Sequence, residues 1–336
     1  MGSRKLLIVG AAGTGNLGDE AILAGILKRV VAGGFCRDRI VVFSKNPEET
    51  ALLHNINAKR KNLLDLLLSD VVLIGGGELF QDIKHMALKY SLLGLAAKIL
   101  GKQVVFYAVG VSSMKSRIGR LFAKTSLALA DDICVRDIAS RDRLRRLGIH
   151  RRIRVVEDSA LSLEPSLLLT RTVDIPRKDG EILLGIVPQC VRDRKLNEKI
   201  HSSFLNYTQS ILSRHNNVII VSIPFWFSRD APCGEWLERR LNNKRFKVLR
   251  ERYTYQESMY LLGQLDILVS TRLHPLILAF KVGIPEIGIG ISEKVESFCK
   301  QRGIPFVNIE EVNRLLQLTE ELGNLKLGKN CFGSQN

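Results

Sequence analysis

Lys5-Leu6-Leu7-Ile8-Val9-Gly10-Ala11-Ala12-Gly13-Thr14-Gly15-Asn16-Leu17-Gly18-Asp19-Glu20-Ala21 joins a short apolar run to a helix-forming stretch through a glycine-rich turn. Leu6–Ala11 reads as a strand, and the spacing of apolar residues over Asp19–Val31 predicts a helix. The succession then repeats. Arg39–Ser44, Val71–Gly75, Val104–Val109 and Ile133–Arg136 read as strands, with helices over Tyr90–Leu100, Arg117–Ala130 and Ala139–Leu147. A second series of strands follows at Ile182–Val187, Val218–Ile223, Phe246–Leu249, Ile267–Ser270 and Glu286–Ile289. Alternation of this kind predicts an α/β protein with parallel sheets covered by helices on both faces. The expected architecture is two Rossmann-like domains, residues 1–165 and 180–322, arranged as in glycosyltransferase-B-like (GT-B) folds. The stretch 163–180, with Pro165 and Pro176, reads as the linker, and residues 323–336 as a flexible tail.

The composition agrees with two cores. A chain of 336 residues exceeds what one core usually fills, and 46% hydrophobic with 25% charged residues is ordinary for a globular protein. No stretch approaches about 20 uninterrupted apolar residues, so no spanning helix is expected. The apolar run at the start is too short for a secretion signal, and the expected location is the cytoplasm. Six cysteines lie far apart with no C-x-x-C pair, which suggests reduced packing thiols and no metal.

The net charge of +16 needs a partner or an explanation. Its densest patch is Arg143, Arg145, Arg146, Arg151, Arg152 and Arg154, with no aromatic residues interleaved for base stacking. Nucleic acid is therefore not the expected partner. A solvated basic face and contact with an anionic membrane, at the inner face of the cell membrane, both fit that patch.

In open parallel sheets ligands bind beyond the carboxyl ends of the strands, and four motifs fall there. Gly10–Ala21 contains a formal G-x-G-x-x-G from Gly13 to Gly18. However, the second strand ends in Lys45 where a dinucleotide site expects an acid, and Asp19 and Glu20 would repel a pyrophosphate. A tight turn with an acidic cap explains the same spacing. Gly75-Gly76-Gly77, ahead of Gln81 and Asp82, reads as a ligand-facing loop, since an ordinary turn rarely needs three glycines. Arg136 either points from a strand end toward a ligand or pairs with Asp137. Arg272-Leu273-His274-Pro275 leaves a strand and enters a helix expected at Leu276–Lys281. A guanidinium fork, an imidazole and a helix N-terminus together suit a carboxylate or phosphate. The remaining histidines, His54, His85, His150, His201 and His215, show no comparable partners or metal-ligand spacing.

At these points the chain resembles the polysaccharide pyruvyl transferase family. Its G-x-x-G-x-x-N-x-G-D-E-A opening is matched by Gly10, Gly13, Asn16, Gly18, Asp19, Glu20 and Ala21. Its glycine triplet is matched by Gly75–Gly77, its Arg-Leu-His by Arg272–His274, and a downstream Lys-Val by Lys294-Val295. The chain departs from the family at Ala11-Ala12 and at Glu157-Asp158-Ser159-Ala160. The resemblance implies a pyruvyl group moved from phosphoenolpyruvate to a saccharide acceptor, free or lipid-linked, as a pyruvate ketal, with no cofactor and no metal. It further implies that Arg272 and Arg136 clamp the donor, that His274 is the acid, and that Asp19 or Asp82 is the base. Asn16, Gly13, Gly75–Gly77 and Lys294 would line the substrates. Because they follow strand ends, Arg272, His274, Arg136, Gly75–Gly77 and the Asn16 turn are expected to converge on one interdomain cleft. A nucleotide-sugar glycosyltransferase on the same fold, or a non-catalytic basic protein binding nucleic acid or membrane, would use the same composition differently. Neither the acceptor sugar nor the oligomeric state is legible.

Overall fold

In the first apolar run, Leu7 and Val9 belong to one hydrophobic core while Leu6 and Ile8 belong to another, so both faces of the strand are buried. This period-two division of an all-apolar run is what a parallel sheet between two helical layers requires. The computed structural model describes residues 4–81, 85–165, 171 and 173–329. The chain divides into two compact units, Met1–Leu163 and Glu164–Asn336.

The first unit carries β1 (Leu6–Val9), α1 (Leu17–Ala32), β2 (Ile40–Phe43), α2 (Pro47–His54), β3 (Asn57–Lys59), α3 (Leu63–Leu68) and β4 (Val71–Phe80). It continues with α4 (Met86–Ile99), β5 (Gln103–Val111), α5 (Arg117–Leu129), β6 (Asp132–Val135), α6 (Ile138–Arg146) and β7 (Arg154–Val155). The strands form one sheet in the order β3-β2-β1-β4-β5-β6-β7, with parallel pairing throughout. On one face α1 supplies Ile22, Leu23, Ile26 and Leu27. On the other, Ala87 and Ala97 of α4 and Ala123 and Leu127 of α5 cover Ile74 and Phe106.

The second unit carries β8 (Ile182–Val187), α7 (Arg194–Arg214), β9 (Val218–Ser222), α8 (Phe227–Leu241), β10 (Phe246–Val248) and α9 (Tyr255–Gly263). Then come β11 (Ile267–Ser270), α10 (Leu273–Val282), β12 (Glu286–Gly290), α11 (Glu293–Arg302), β13 (Phe306–Asn308) and α12 (Val312–Lys329). The sheet order is β10-β9-β8-β11-β12-β13. Phe204, Tyr207 and Ile211 of α7 pack with Leu315 and Leu316 of α12 on Ile186, Ile220 and Val269. The buried Tyr207 hydroxyl meets Thr319 Oγ1 at 2.9 Å, which satisfies both. The backbone of α12 continues past residue 322, where the sequence set the end of the second domain, to Lys329.

Several elements differ from their sequence readings. The glycine triplet does not form a loop: β4 runs through it to Phe80, with Gly76 and Gly77 at φ 74° and 76° and a register shift against β5 between Gly77 and Phe80. Glycine tolerates that conformation inside a strand, so the triplet leads into a bulge just beyond Gly77 where a ligand-facing loop was expected. Helix α10 begins at Leu273, a turn earlier than read, because Pro275 is acceptable among the first residues, whose N–H groups have no helical acceptor. Short edge strands β3, β7 and β13 join the sheets with two or three residues each.

Candidate active site

The strand order reverses direction beside β8 in the second unit, with β9 on one side and β11 on the other. Crevices at such switch points, beyond the carboxyl strand ends, are where open α/β sheets bind ligands. Ser270 Oγ accepts the Arg272 N–H at 3.0 Å and Thr271 Oγ1 donates to the Val187 carbonyl at 2.9 Å, which ties the β11–α10 turn to β8. Arg272 is the residue before the first turn of α10 and caps nothing with its side chain. Its Nη2 instead donates at 2.5 Å to Asp230 Oδ1, on α8. Asp230 is 2% exposed, and its other oxygen accepts the N–H groups of Phe225 and Trp226 at 3.1 and 2.7 Å. Burial raises the Asp230 carboxyl pKa, against the pull of Arg272 and those two N–H groups.

Two further arginines join Arg272. The Arg229 guanidinium lies 4.1 Å from the centroid of Trp226, and that of Arg272 lies 5.8 Å from the same centroid. Burial lowers the Arg229 pKa, and repulsion from Arg192 and Arg272 lowers it further. The loop after β8, the first turn of α8 and the β11–α10 turn thus bring Arg192, Arg229 and Arg272 into one field. Among the described residues the buried Nε of Arg272 has no acceptor. His274 stands in the first turn of α10, half-buried, and Lys294 in the first turn of α11, exposed. Sequence reading found Arg272 and His274 but missed Arg192 and Trp226, from other loops, and Arg229 and Asp230, from the start of α8, none of which has a local motif.

The first unit has its own switch point, between β1 and β4. Asn16 caps α1, accepting the Gly18 N–H at 3.3 Å. Asp19 Oδ2 accepts from Thr14 Oγ1 and Asn16 Nδ2, each at 3.0 Å. Glu20 is buried, takes the Gly13 N–H at 2.8 Å and meets His54 Nε2 at 2.9 Å, so His54 has a carboxylate partner that its position in the sequence did not suggest. The glycines are packing devices. A Cβ on Gly13 would stand 2.2 Å from Ser44 Oγ, one on Gly10 2.7 Å from the Gly75 carbonyl, and one on Gly76 2.1 Å from Ile22 Cγ2. What remains is a concavity lined by Gly10, Ala11, Ala12, Asp19, Ile22 and Gly76, with Asp19 as its charged group.

Tyr90 braces this loop through a 2.9 Å hydrogen bond to the Gly10 carbonyl, and burial with the Asp19 charge pushes its phenol up to about 12. Lys61 lies 5.3 Å from the Tyr90 ring centroid, its pKa lowered by burial and then by Lys89 and Lys45. That cationic group follows β2 and β3 and has no sequence motif.

Arg136 resolves in favour of its pairing. Its side chain is 6% exposed, Nε donates to Asp137 Oδ2 at 3.3 Å, and a Cβ on Gly110 would strike the guanidinium at 2.7 Å. Asp158, at the departure from the family pattern, is buried and accepts the Ala160 N–H at 3.0 Å. Asp82 lies outside the described residues.

Cysteine and histidine also converge against expectation. Cys190 follows β8, His201 lies on α7 and Cys233 on α8, and their ligand atoms all fall within 4.8 Å of one another. Hydrogen bonding from Cys233, partly opposed by burial and helped by His201 and Arg272, brings the Cys190 thiol down to about 5. The Cys233 thiol is pushed up by the same contact and by its burial.

A family model described as polysaccharide pyruvyl transferase matches residues 16–293. A comparison with curated protein sequences finds no match. The fold is similar to that of a Listeria monocytogenes protein assigned as a UDP-N-acetylglucosamine 2-epimerase, at TM-score 0.66 and 13% identity over 96% of this chain and 89% of that one. It is similar to UDP-GlcNAc 2-epimerase of Methanocaldococcus jannaschii, solved with UDP-GlcNAc and UDP, at TM-score 0.62 and 14% identity over 95% and 93%. It is also similar to ADP-heptose lipopolysaccharide heptosyltransferase II of E. coli, at TM-score 0.53 and 12% identity over 96% and 99%. At these identities the likeness is one of fold: two parallel-sheet α/β units of the GT-B-like kind.

Proposed function

The chain belongs to the polysaccharide pyruvyl transferase family, and from that premise we propose that it moves a pyruvyl group from phosphoenolpyruvate to two hydroxyls of a saccharide. The observation that carries the proposal is the cluster of Arg192, Arg229 and Arg272 at the switch point of the second unit. Phosphoenolpyruvate bears a carboxylate and a phosphate, and clustered guanidiniums with an open Nε suit such a dianion. Arg229 and Arg192 take the second clamp that sequence reasoning gave to Arg136, whose guanidinium is enclosed by Asp137 and Gly110.

The chemistry balances without a cofactor. A proton adds to carbon 3, and carbon 2 becomes electrophilic enough for a first hydroxyl, which loses its proton on attack. Phosphate leaves carbon 2, and the second hydroxyl closes the ketal there, giving up its proton to the departing phosphate. His274, at the positive end of α10, is the proposed acid for carbon 3. Asp19, held by Thr14 and Asn16, is the proposed base for the acceptor hydroxyl. Lys45, Lys61 and Lys89 would attract an anionic acceptor such as a lipid-linked saccharide diphosphate. Lys294 is the proposed outer cation for the donor. No helix among the described residues is long and apolar enough to cross a membrane. The proposed membrane contact is instead the exposed face of α5, where Ile118 and Leu121 stand among Arg117, Arg120 and Lys124.

The test is calorimetric. Phosphoenolpyruvate should bind the wild-type chain, and Arg272→Lys should weaken it at least tenfold, because lysine keeps the charge but loses the fork. Binding of a nucleotide sugar in place of phosphoenolpyruvate would support a glycosyltransferase reading.

A further inference from the structure

Cys190, His201 and Cys233 come from three separate segments, and two soft thiols with one imidazole are a ligand set that selects a borderline-soft divalent cation. With bonds of about 2.3 Å to sulfur and about 2.0 Å to nitrogen, a tetrahedral site has edges of about 3.5 Å for S···N and about 3.8 Å for S···S. Cys190 Sγ and His201 Nε2 stand 3.7 Å apart, and no two of the three ligand atoms are more than 4.8 Å apart. The Cys190–His201 pair is thus already near its tetrahedral edge, and the other pairs need to close by no more than about 1.3 Å.

The ligands are also held. The His201 ring stacks on Trp236 with centroids 4.6 Å apart and planes 16° off parallel, which fixes how Nε2 is aimed. Cys233 is fully buried in α8. A thiolate is the form that binds metal, so two cysteines and an imidazole converging from three segments are a chemically suitable set.

We propose that Cys190, His201 and Cys233 form a zinc-class metal site that braces the β8 loop against α7 and α8. Position gives the site a consequence. Cys190 is two residues from Arg192, and Cys233 is three residues from Asp230, the carboxylate that holds Arg272. A bound ion would tie together the segments that carry two of the three clustered arginines. The inference does not rest on pyruvyl transfer, and the site could hold metal whichever anion the arginines bind.

The experiment uses the full-length, reduced, metal-stripped chain titrated with Co2+ under nitrogen, followed by visible and near-ultraviolet absorption. The expected result is a thiolate-to-cobalt charge-transfer band with intense tetrahedral d–d absorption, saturating at one equivalent and abolished by stoichiometric Zn2+. Cys233→Ser and His201→Gln should each weaken Co2+ binding by more than the roughly 10–100-fold that loss of an outer-shell partner brings. Cys36→Ser removes an exposed thiol remote from the cluster in sequence and should leave the titration unchanged. If a variant fails to fold, the wild-type titration still decides. Absence of a saturable thiolate–cobalt band in the reduced wild-type chain would overturn the proposal, as would the same band undiminished in folded Cys233→Ser.

Discussion

Glu286 opens β12 at 5% exposure, and among the described residues its Oε2 has no hydrogen-bond partner. Burial alone pushes its carboxyl from 4.5 up to about 9. The group is therefore neutral in the folded chain at pH 7 and ionised in the unfolded one. Below about pH 4.5 both states hold the proton and Glu286 has no effect on stability. As pH rises toward 9, the unfolded state alone gains a charge, and stability falls. Glu286→Gln, which copies the protonated shape, should raise stability at pH 8 by on the order of 2–3 kcal/mol and leave it unchanged at pH 4. Thermal melts at the two pH values check this, and an equal effect at both would refute it. At the same scale, His274→Asn should leave donor affinity near wild type and lower turnover by about 10²–10⁴-fold. Phosphate release under saturating donor measures that, and normal turnover would remove His274 as the acid. Arg272 and His274 were legible because they stand two positions apart and follow a strand. Asp230 and Arg229 were not, since only folding brings α8 to the β11–α10 turn.

Among elements, β4 and β5 share a paired irregularity next to the switch point of the first unit. Gly76 at φ 74° and Ala108 at φ 50° both lie in the left-handed region, in neighbouring strands and at the same level of the register. Gly76→Ala adds a Cβ that would stand 2.1 Å from Ile22 of α1, in a conformation that L-residues avoid. It should cost roughly 2–4 kcal/mol. Ala108→Gly relieves the same strain while freeing the unfolded chain, and should stay within about 1 kcal/mol of wild type. Urea unfolding separates the two, and equal costs would show that the strand conformation matters less than volume. The alternation of strands and helices was legible from periodicity alone. The glycine triplet was read as a ligand-facing loop because three consecutive glycines let a backbone approach a ligand, while only the packing of α1 on β4 shows why they are needed inside a strand. The short edges β3 and β7 escaped notice because Asn57–Lys59 and Arg154–Val155 lack an apolar run.

At the scale of the whole chain, much of the densest arginine patch is spent internally. Arg145 donates to the Ile149 carbonyl, Arg151 to the Ala128 and Ala130 carbonyls, and Arg154 to Asp132. Ile118 and Leu121 of α5 are 62% and 63% exposed among Arg117, Arg120 and Lys124, so apolar area and cations coincide there, as the proposed membrane contact requires. Vesicles rich in anionic lipid should bind the chain, and Ile118→Asn with Leu121→Asn should reduce that binding at least tenfold. Binding unaffected by both changes would return the surface to solvent. The central claim is pyruvyl transfer, and the most direct measurement incubates the full chain with 13C-labelled phosphoenolpyruvate and a panel of saccharide diols. The account predicts acceptor-dependent phosphate release and a new ketal carbon on the saccharide, both lost in His274→Asn. Phosphoenolpyruvate left intact with every acceptor, while a nucleotide sugar binds at Arg272, would contradict it.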